Sequence, residues 1–240
     1  MDAAPVTLND NSIHRSNRFV TFEGGEGSGK TTQIARLAEY LRTLGLSVCS
    51  TREPGGTNAA DALREILLSG RAKPLGAETE AVLFAAARRD HIDGVIQPAL
   101  SRGEIVLCDR FNDSTRVYQG VNSGADATVL ETLEKATLED IEPVLTIVLD
   151  IPAQAGLLRA SARRGTGRAD RFEVETIEIH EARRQAFLCI AQSEPDRCAI
   201  VDALQSVERV EKEIRDLVIE RLQLRSEVTG GSKNATKVSA

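Results

Sequence analysis

The residues best equipped for chemistry form one run, Gly24-Gly25-Glu26-Gly27-Ser28-Gly29-Lys30-Thr31-Thr32, in which four residues separate the first glycine from Gly29-Lys30-Thr31. That spacing describes a loop that wraps phosphate. Backbone N–H groups at a helix N-terminus point outward, and the helix dipole favours an anion there. Glycines let the main chain approach phosphate closely, where a Cβ would block it. Lys30 can reach the terminal phosphates, and the Thr31 hydroxyl can ligate magnesium. The loop indicates a nucleoside triphosphate but not a reaction.

Further groups narrow the chemistry. Asp109-Arg110-Phe111 follows the apolar run 105–108. Ligands of open parallel sheets bind beyond the carboxyl ends of strands, so Asp109 can hold magnesium through water while Arg110 clamps an acceptor phosphate. Taken alone, the pair is a strand-end ion pair; beside a phosphate loop it reads as an acceptor site. Arg52-Glu53-Pro54-Gly55-Gly56-Thr57 ends a second strand. It explains itself as a rigid turn with Thr57 capping a helix, yet it also puts Arg52 at a strand end as another anion contact. Phe84 and Arg88, four apart, share a helix face and could stack and hydrogen-bond a base; a core Phe beside a surface Arg is the plainer account. Residues 159–171 hold five arginines, Arg159, Arg163, Arg164, Arg168 and Arg171, with Gly165 and Gly167 around Thr166. This is a solvated basic loop or a mobile flap; a flap would exclude water and bring a cation to a transferring group.

These groups need a scaffold, and the patterning supplies one. Residues 18–22 alternate as a strand and 32–44 as an amphipathic helix. Strands are expected at 46–51, 105–108, 144–149 and 199–201. Helices are expected at 57–69, 78–101, 125–138, 172–192 and 206–224. Short apolar strands alternating with helices mean a parallel sheet covered on both faces. The domain therefore spans 18–224, with a lid at about 159–173. The polar stretches 1–17 and 225–240 read as disordered tails.

At 240 residues the chain is one large domain with tails. Its net charge of −6 argues against nucleic-acid binding driven by bulk charge. No apolar run approaches a membrane span, and the N-terminus makes a poor secretory or mitochondrial signal. The four cysteines have no paired spacing, which fits free thiols in a reducing cytosol, and the three histidines make no metal cluster.

Taken in order, these motifs resemble the thymidylate kinase family over about residues 18–222. The resemblance rests on 22–32, on Arg52 to Thr57, and on Leu83-Phe84-Ala85-Ala86-Ala87-Arg88 with His91 and Ile96-Gln97-Pro98-Ala99-Leu100. It continues through Asp109-Arg110-Phe111 with Ser114, Tyr118, Gln119 and Gly120, and ends on Asp170-Arg171-Phe172-Glu173. Family members are three-layer α/β P-loop kinases with a five-stranded parallel sheet and a small arginine-rich lid. The resemblance implies magnesium-dependent transfer of the ATP γ-phosphoryl group to dTMP, in the cytoplasm, by a homodimer that needs neither nucleic acid nor membrane. It implies that Glu26 touches the sugar 3′-hydroxyl and Arg110, and that Arg52 and Arg110 hold the dTMP phosphate. Phe84 would stack under thymine and Arg88 would donate to a base carbonyl. Ser114 and Gln119 would add base contacts, and Tyr118 would crowd the sugar 2′ position. Gly24 to Thr32 would bind ATP, with magnesium at Thr31 and Asp109. One branch of the family carries an arginine where this chain has Gly27. The chain instead resembles the bacterial branch, whose catalytic arginine comes from the lid; Arg163, Arg164 and Arg168 are the candidates. Many members have Asp at the position of Ala87, and both termini here are longer than usual. Two competing readings remain at this point. One is a kinase for another deoxynucleoside monophosphate, and the other is a nucleotide-binding scaffold without catalysis.

Overall fold

The computed structural model describes residues 18–121, 123–139, 141–164 and 171–224. The expected tails, and Arg168 with the rest of 165–170, lie outside the described residues. Five parallel strands form one sheet: β1 Phe19–Glu23, β2 Val48–Arg52, β3 Ile105–Asp109, β4 Leu145–Asp150 and β5 Cys198–Asp202, in the order β2-β3-β1-β4-β5. β1, β3 and β4 are buried along nearly their whole length, as continuous apolar runs in a sheet covered on both faces require. The nine α-helices among the described residues are α1 Lys30–Thr43, α2 Asn58–Leu68, α3 Ala77–His91, α4 Gln97–Ser101, α5 Asn112–Thr115, α6 Ala127–Leu138, α7 Ala153–Arg164, α8 Ile177–Ser193 and α9 Val207–Arg221.

One core packs α1 and α9 on the sheet through Ile34, Leu37, Leu41, Val210, Ile214 and Val218. On the other side, Ile92, Ile96 and Leu100 meet Phe19, Val106 and Phe111. Register brings the reactive strand ends together. Phe22 of β1 and Arg52 of β2 both pair with Asp109 of β3.

The stretch expected as helical over 78–101 is helical throughout, with a wider turn at Ile92–Ile96 joining α3 to α4. Two other expected bounds differ. The helix expected from 172 begins at Ile177 after an extended Thr176. The arginine-rich segment expected as a flap is helical through Arg164, so Arg159, Arg163 and Arg164 stand on α7.

Candidate active site

The phosphate loop bridges β1 and α1. Gly29 caps α1 with φ +96°, a left-handed conformation that only glycine adopts without strain. The loop is also pressed onto its neighbours. A Cβ on Gly27 would lie 1.9 Å from the Gly156 carbonyl oxygen of α7, and one on Gly24 would lie 2.5 Å from the Leu149 carbonyl. No side chain therefore has room at position 27. Lys30 is buried and its ammonium group donates to Gly24 O at 3.0 Å, Gly25 O at 2.9 Å and Ser28 Oγ at 3.3 Å. Burial, and next the Arg110 charge, lower its pKa to about 8 against the pull of Asp109, Glu26 and Glu23. Thr31 and Thr32 are exposed on the first turn of α1.

The end of β3 faces this loop. Asp109 Oδ2 accepts from the Thr31 hydroxyl at 2.8 Å. Arg110 follows with φ +69°, a conformation that costs a non-glycine residue about 1–3 kcal/mol and persists only where surroundings enforce it. The enforcing groups are visible. Arg110 N–H bonds Phe22 O at 2.9 Å, and Phe111 N–H bonds the Glu23 carboxylate at 2.8 Å. Glu23 also accepts from Ser114, at the amide and at the hydroxyl. Burial, then the neighbouring Asp113, raise the Glu23 pKa to about 7. The backbone twist aims the Arg110 guanidinium at the loop. It donates to Glu26 Oε1 at 2.6 Å, to Gly24 O at 3.2 Å and to Ser114 Oγ at 3.3 Å. Burial opposes ionisation of Glu26, but Arg110 and Lys30 outweigh it and hold the pKa at about 2. Tyr118 donates to the same Glu26 oxygen at 3.3 Å, with the Arg110 cation 5.2 Å from its ring centre.

Loop, strand ends and α3 enclose a cleft of about 270 Å³. It takes in Lys30, Arg52, Phe84, Arg88, Asp109 and Arg110. Ser114, Tyr118, Gln119 and Arg163 line it as well. Arg52 is half exposed and pairs with Asp61 at 3.2 Å. Phe84 is half buried. Arg88 is buried, and four of its five N–H groups are engaged, by Glu53, Asn112, the Phe111 carbonyl and Thr115. Among the described residues one Nη1 hydrogen is left without a partner, on a side chain that lines the cleft. Gln119 is 1% exposed, and its Nε2 has no partner among the described residues. The Ser114 hydroxyl proton is already committed to Glu23 at 2.7 Å, so toward a base this oxygen can only accept. The flap candidates differ: Arg163 lines the cleft, whereas Arg164 is ion-paired with Glu173.

Sequence reasoning left several site residues without a role. Glu23 and Glu53 stand at strand ends beside the motifs, which is the signal that could have drawn attention to them. Arg183 gives little signal. It sits on the buried face of α8, four residues before Phe187, and is 2% exposed. Its cation lies 4.3 Å from the Tyr118 ring centre and 5.5 Å from that of Phe172. Tyr118 is thus flanked by two guanidinium groups. Among the described residues no three metal-binding side chains cluster, and no helix is long and apolar enough to cross a membrane. The four cysteines are free.

This geometry can be compared with known proteins. A family model described as thymidylate kinase matches residues 22–214. A thymidylate kinase of Bradyrhizobium sp. (strain ORS 278) is 54% identical over 205 residues, covering 85% of this chain and 91% of that protein. One from Bradyrhizobium sp. (strain BTAi1 / ATCC BAA-1182) is 52% identical over the same shares. The crystal structure of thymidylate kinase from Ehrlichia chaffeensis superposes with a TM-score of 0.65 at 32% identity, covering 83% of this chain and 97% of that one.

Proposed function

This chain belongs to the thymidylate kinase family, and from that premise we propose how its own residues carry out the reaction. The enzyme is a nucleoside monophosphate kinase that transfers the γ-phosphoryl group of ATP to dTMP, giving dTDP and ADP for dTTP synthesis. None of these relatives favours a different monophosphate or a scaffold without catalysis.

One observation carries the assignment of roles. Lys30 and Arg110 donate to the same atom, the carbonyl oxygen of Gly24, at 3.0 and 3.2 Å. A donor phosphate on Lys30 and an acceptor phosphate on Arg110 would therefore be neighbours, which is what in-line transfer needs. Lys30 exchanges its loop carbonyls for the ATP phosphates, beside the N–H groups of Gly24 to Thr32. Arg52 and Arg110 align the dTMP phosphate. Glu26 keeps Arg110 aimed and accepts from the sugar 3′-hydroxyl, while Tyr118 closes the 2′ side. Phe84 stacks on thymine. Arg88 donates its open hydrogen to a base carbonyl, and Gln119 and Ser114 complete the base contacts. Arg163 brings positive charge to the transferring group. No covalent intermediate is required, because positioning and charge stabilisation suffice.

Magnesium suits the site: the Thr31 hydroxyl and Asp109 carboxylate are adjacent hard oxygens, and this ion takes one or two such ligands plus water and phosphate. When bound it offsets charge on the phosphates. A cytoplasmic homodimer completes the reading. This part of the reading rests on membership of the family alone.

The test is coupled ADP release with ATP, magnesium and dTMP, beside dUMP, the thymine ribonucleotide, dCMP and thymidine. dTMP should turn over fastest, with dUMP behind by a factor of up to about two hundred, since a buried methyl contributes only roughly 1–3 kcal/mol. Lys30→Ala should abolish turnover in a folded protein. Equal specificity for dTMP and dUMP, or near-normal turnover by that variant, would defeat these roles.

A further inference from the structure

Glu53 and His91 have no part in the reaction as described, yet they form one buried chain with Arg88. Thr51 Oγ1 and His91 Nε2 are 2.7 Å apart, His91 Nδ1 is 3.0 Å from Glu53 Oε1, and Arg88 Nε donates to Glu53 Oε2 at 2.8 Å. A carboxylate only accepts, so the imidazole proton facing it sits on Nδ1. The His91 side chain is 0% exposed, and those of Glu53 and Arg88 are each 4% exposed. Each carboxylate oxygen is thereby fixed by a different donor, one from the far end of α3 and one from the cleft.

The backbone is shaped around this chain. Gly56 has φ +98°, and a Cβ there would lie 2.5 Å from His91 Cδ2 and 2.6 Å from Nε2. Glu53 N–H is itself tied to the Asp109 carbonyl at 2.9 Å, so the carboxylate is referenced to β3 as well as to α3. The Arg-Glu-Pro-Gly-Gly turn thus does more than end a strand: it delivers a carboxylate behind the cleft and leaves space for the imidazole that braces it. A guanidinium gripped at Nε cannot swivel about its last side-chain bond. Asn112, the Phe111 carbonyl and Thr115 complete the clamp.

We propose that Glu53, braced by His91, is a positioning residue for base selection: it locks the Arg88 guanidinium so that its one open N–H meets a pyrimidine carbonyl and rejects an amino group at the same place. The inference rests on Arg88 reading the base. A donor held rigidly against an amino group leaves two donors facing each other with no acceptor between them. A donor free to rotate escapes that conflict, so the rigidity sets the discrimination.

Specificity constants for dTMP, dUMP and dCMP, measured on the full chain with Glu53→Gln and Arg88→Lys, test this. Glu53→Gln should lower the dTMP-to-dCMP ratio by about tenfold or more, chiefly by lowering KM for dCMP as its amino group is no longer refused. It should leave the dTMP-to-dUMP ratio unchanged, because both bases carry the carbonyl, and leave KM for ATP unchanged. A brace of purely structural value would weaken all three pyrimidines alike, and that result overturns the proposal. So does an unchanged dTMP-to-dCMP ratio in folded Glu53→Gln. If Arg88→Lys shifts that ratio while Glu53→Gln does not, positioning fails and base reading by Arg88 stands. If Arg88→Lys leaves it unchanged, the reading of Arg88 fails and the positioning role falls with it. Should Glu53→Gln not fold, His91→Leu removes the donor on Oε1, together with the partner of Thr51 Oγ1, and leaves the Glu53–Arg88 contact in place; it should move the same ratio in the same direction, and no movement refutes the role.

Discussion

The hydroxyl of Thr31 donates to Asp109 Oδ2 at 2.8 Å, joining the first turn of α1 to the end of β3. These oxygens sit between the triphosphate loop and the acceptor arginine, where a divalent cation would contact both. Asp109→Asn should raise the magnesium concentration for half-maximal rate by about tenfold, the size of effect expected when a charged oxygen contact is lost. Thr31→Val should act in the same direction and Thr31→Ser should restore the wild-type response. A magnesium titration of initial rates decides it; unchanged dependence in Asp109→Asn would remove both residues from the metal.

Glu26 offers a prediction in pH. Its pKa is about 2 in the folded protein against an ordinary 4.5. The folded state thus binds this proton less tightly than the unfolded chain does. The resulting stabilisation is fully present above pH 4.5 and is lost as pH falls toward 2. At ~1.4 kcal/mol per unit it amounts to at most about 3 kcal/mol. Glu26→Gln should therefore be less stable than wild type near pH 7, with the two stability curves converging in acid. Denaturant unfolding at a series of pH values measures this, and parallel curves would refute it.

The parts of the site legible in the sequence are those fixed by local backbone. Lys30, Thr31, Asp109 and Arg110 had to lie together because each follows a strand of one parallel sheet, and such strands end on one side. The strands themselves showed as short apolar runs. What stayed hidden depends on tertiary partners. Arg183 carries no motif in the sequence, and its burial follows from the Tyr118 and Phe172 rings and the Glu175 carboxylate that meet it. Arg171, read as part of the flap, is instead bound through two nitrogens to the buried Glu80 of α3. The wider turn at Ile92–Ile96 within the helical stretch expected over 78–101 was likewise invisible, since nothing in the apolar spacing distinguishes it from an ordinary helical turn.

The contact between Gly27 and Gly156 predicts a strict size limit in the phosphate loop. Gly27 has φ +68°, and its missing Cβ would lie 1.9 Å from Gly156 O and 2.8 Å from Gly156 C, both backbone atoms that cannot swing aside. Conversely, a Cβ on Gly156 would meet the Glu26 carbonyl at 2.3 Å. Gly27→Ala should cost about 2–4 kcal/mol from crowding plus the left-handed backbone, lowering the melting temperature by roughly 5–10 °C. ATP affinity should fall with it, because the N–H groups of the loop shift. Calorimetry and nucleotide titration read both effects. A Gly27→Ala protein with wild-type melting and ATP binding would mean that α7 does not clamp the loop.

Charge on the transferring group should come chiefly from Arg163. Arg163 and Arg164 are adjacent on α7, yet only Arg163 lines the cleft, while Arg164 is engaged by Glu173. Successive helix positions point about 100° apart, so the two cannot serve the same point without unwinding the helix end. Arg163→Ala should lower kcat by roughly 10³-fold, the range reported for a cation that meets transition-state charge, with little change in KM for dTMP. Arg164→Ala should lower kcat by less than about tenfold, through the lost pairing with Glu173. Pre-steady-state rates of phosphoryl transfer separate these effects from product release. The reverse order of effects would mean that the end of α7 rewinds when substrates bind. Small effects at both positions would assign the charge to Arg168.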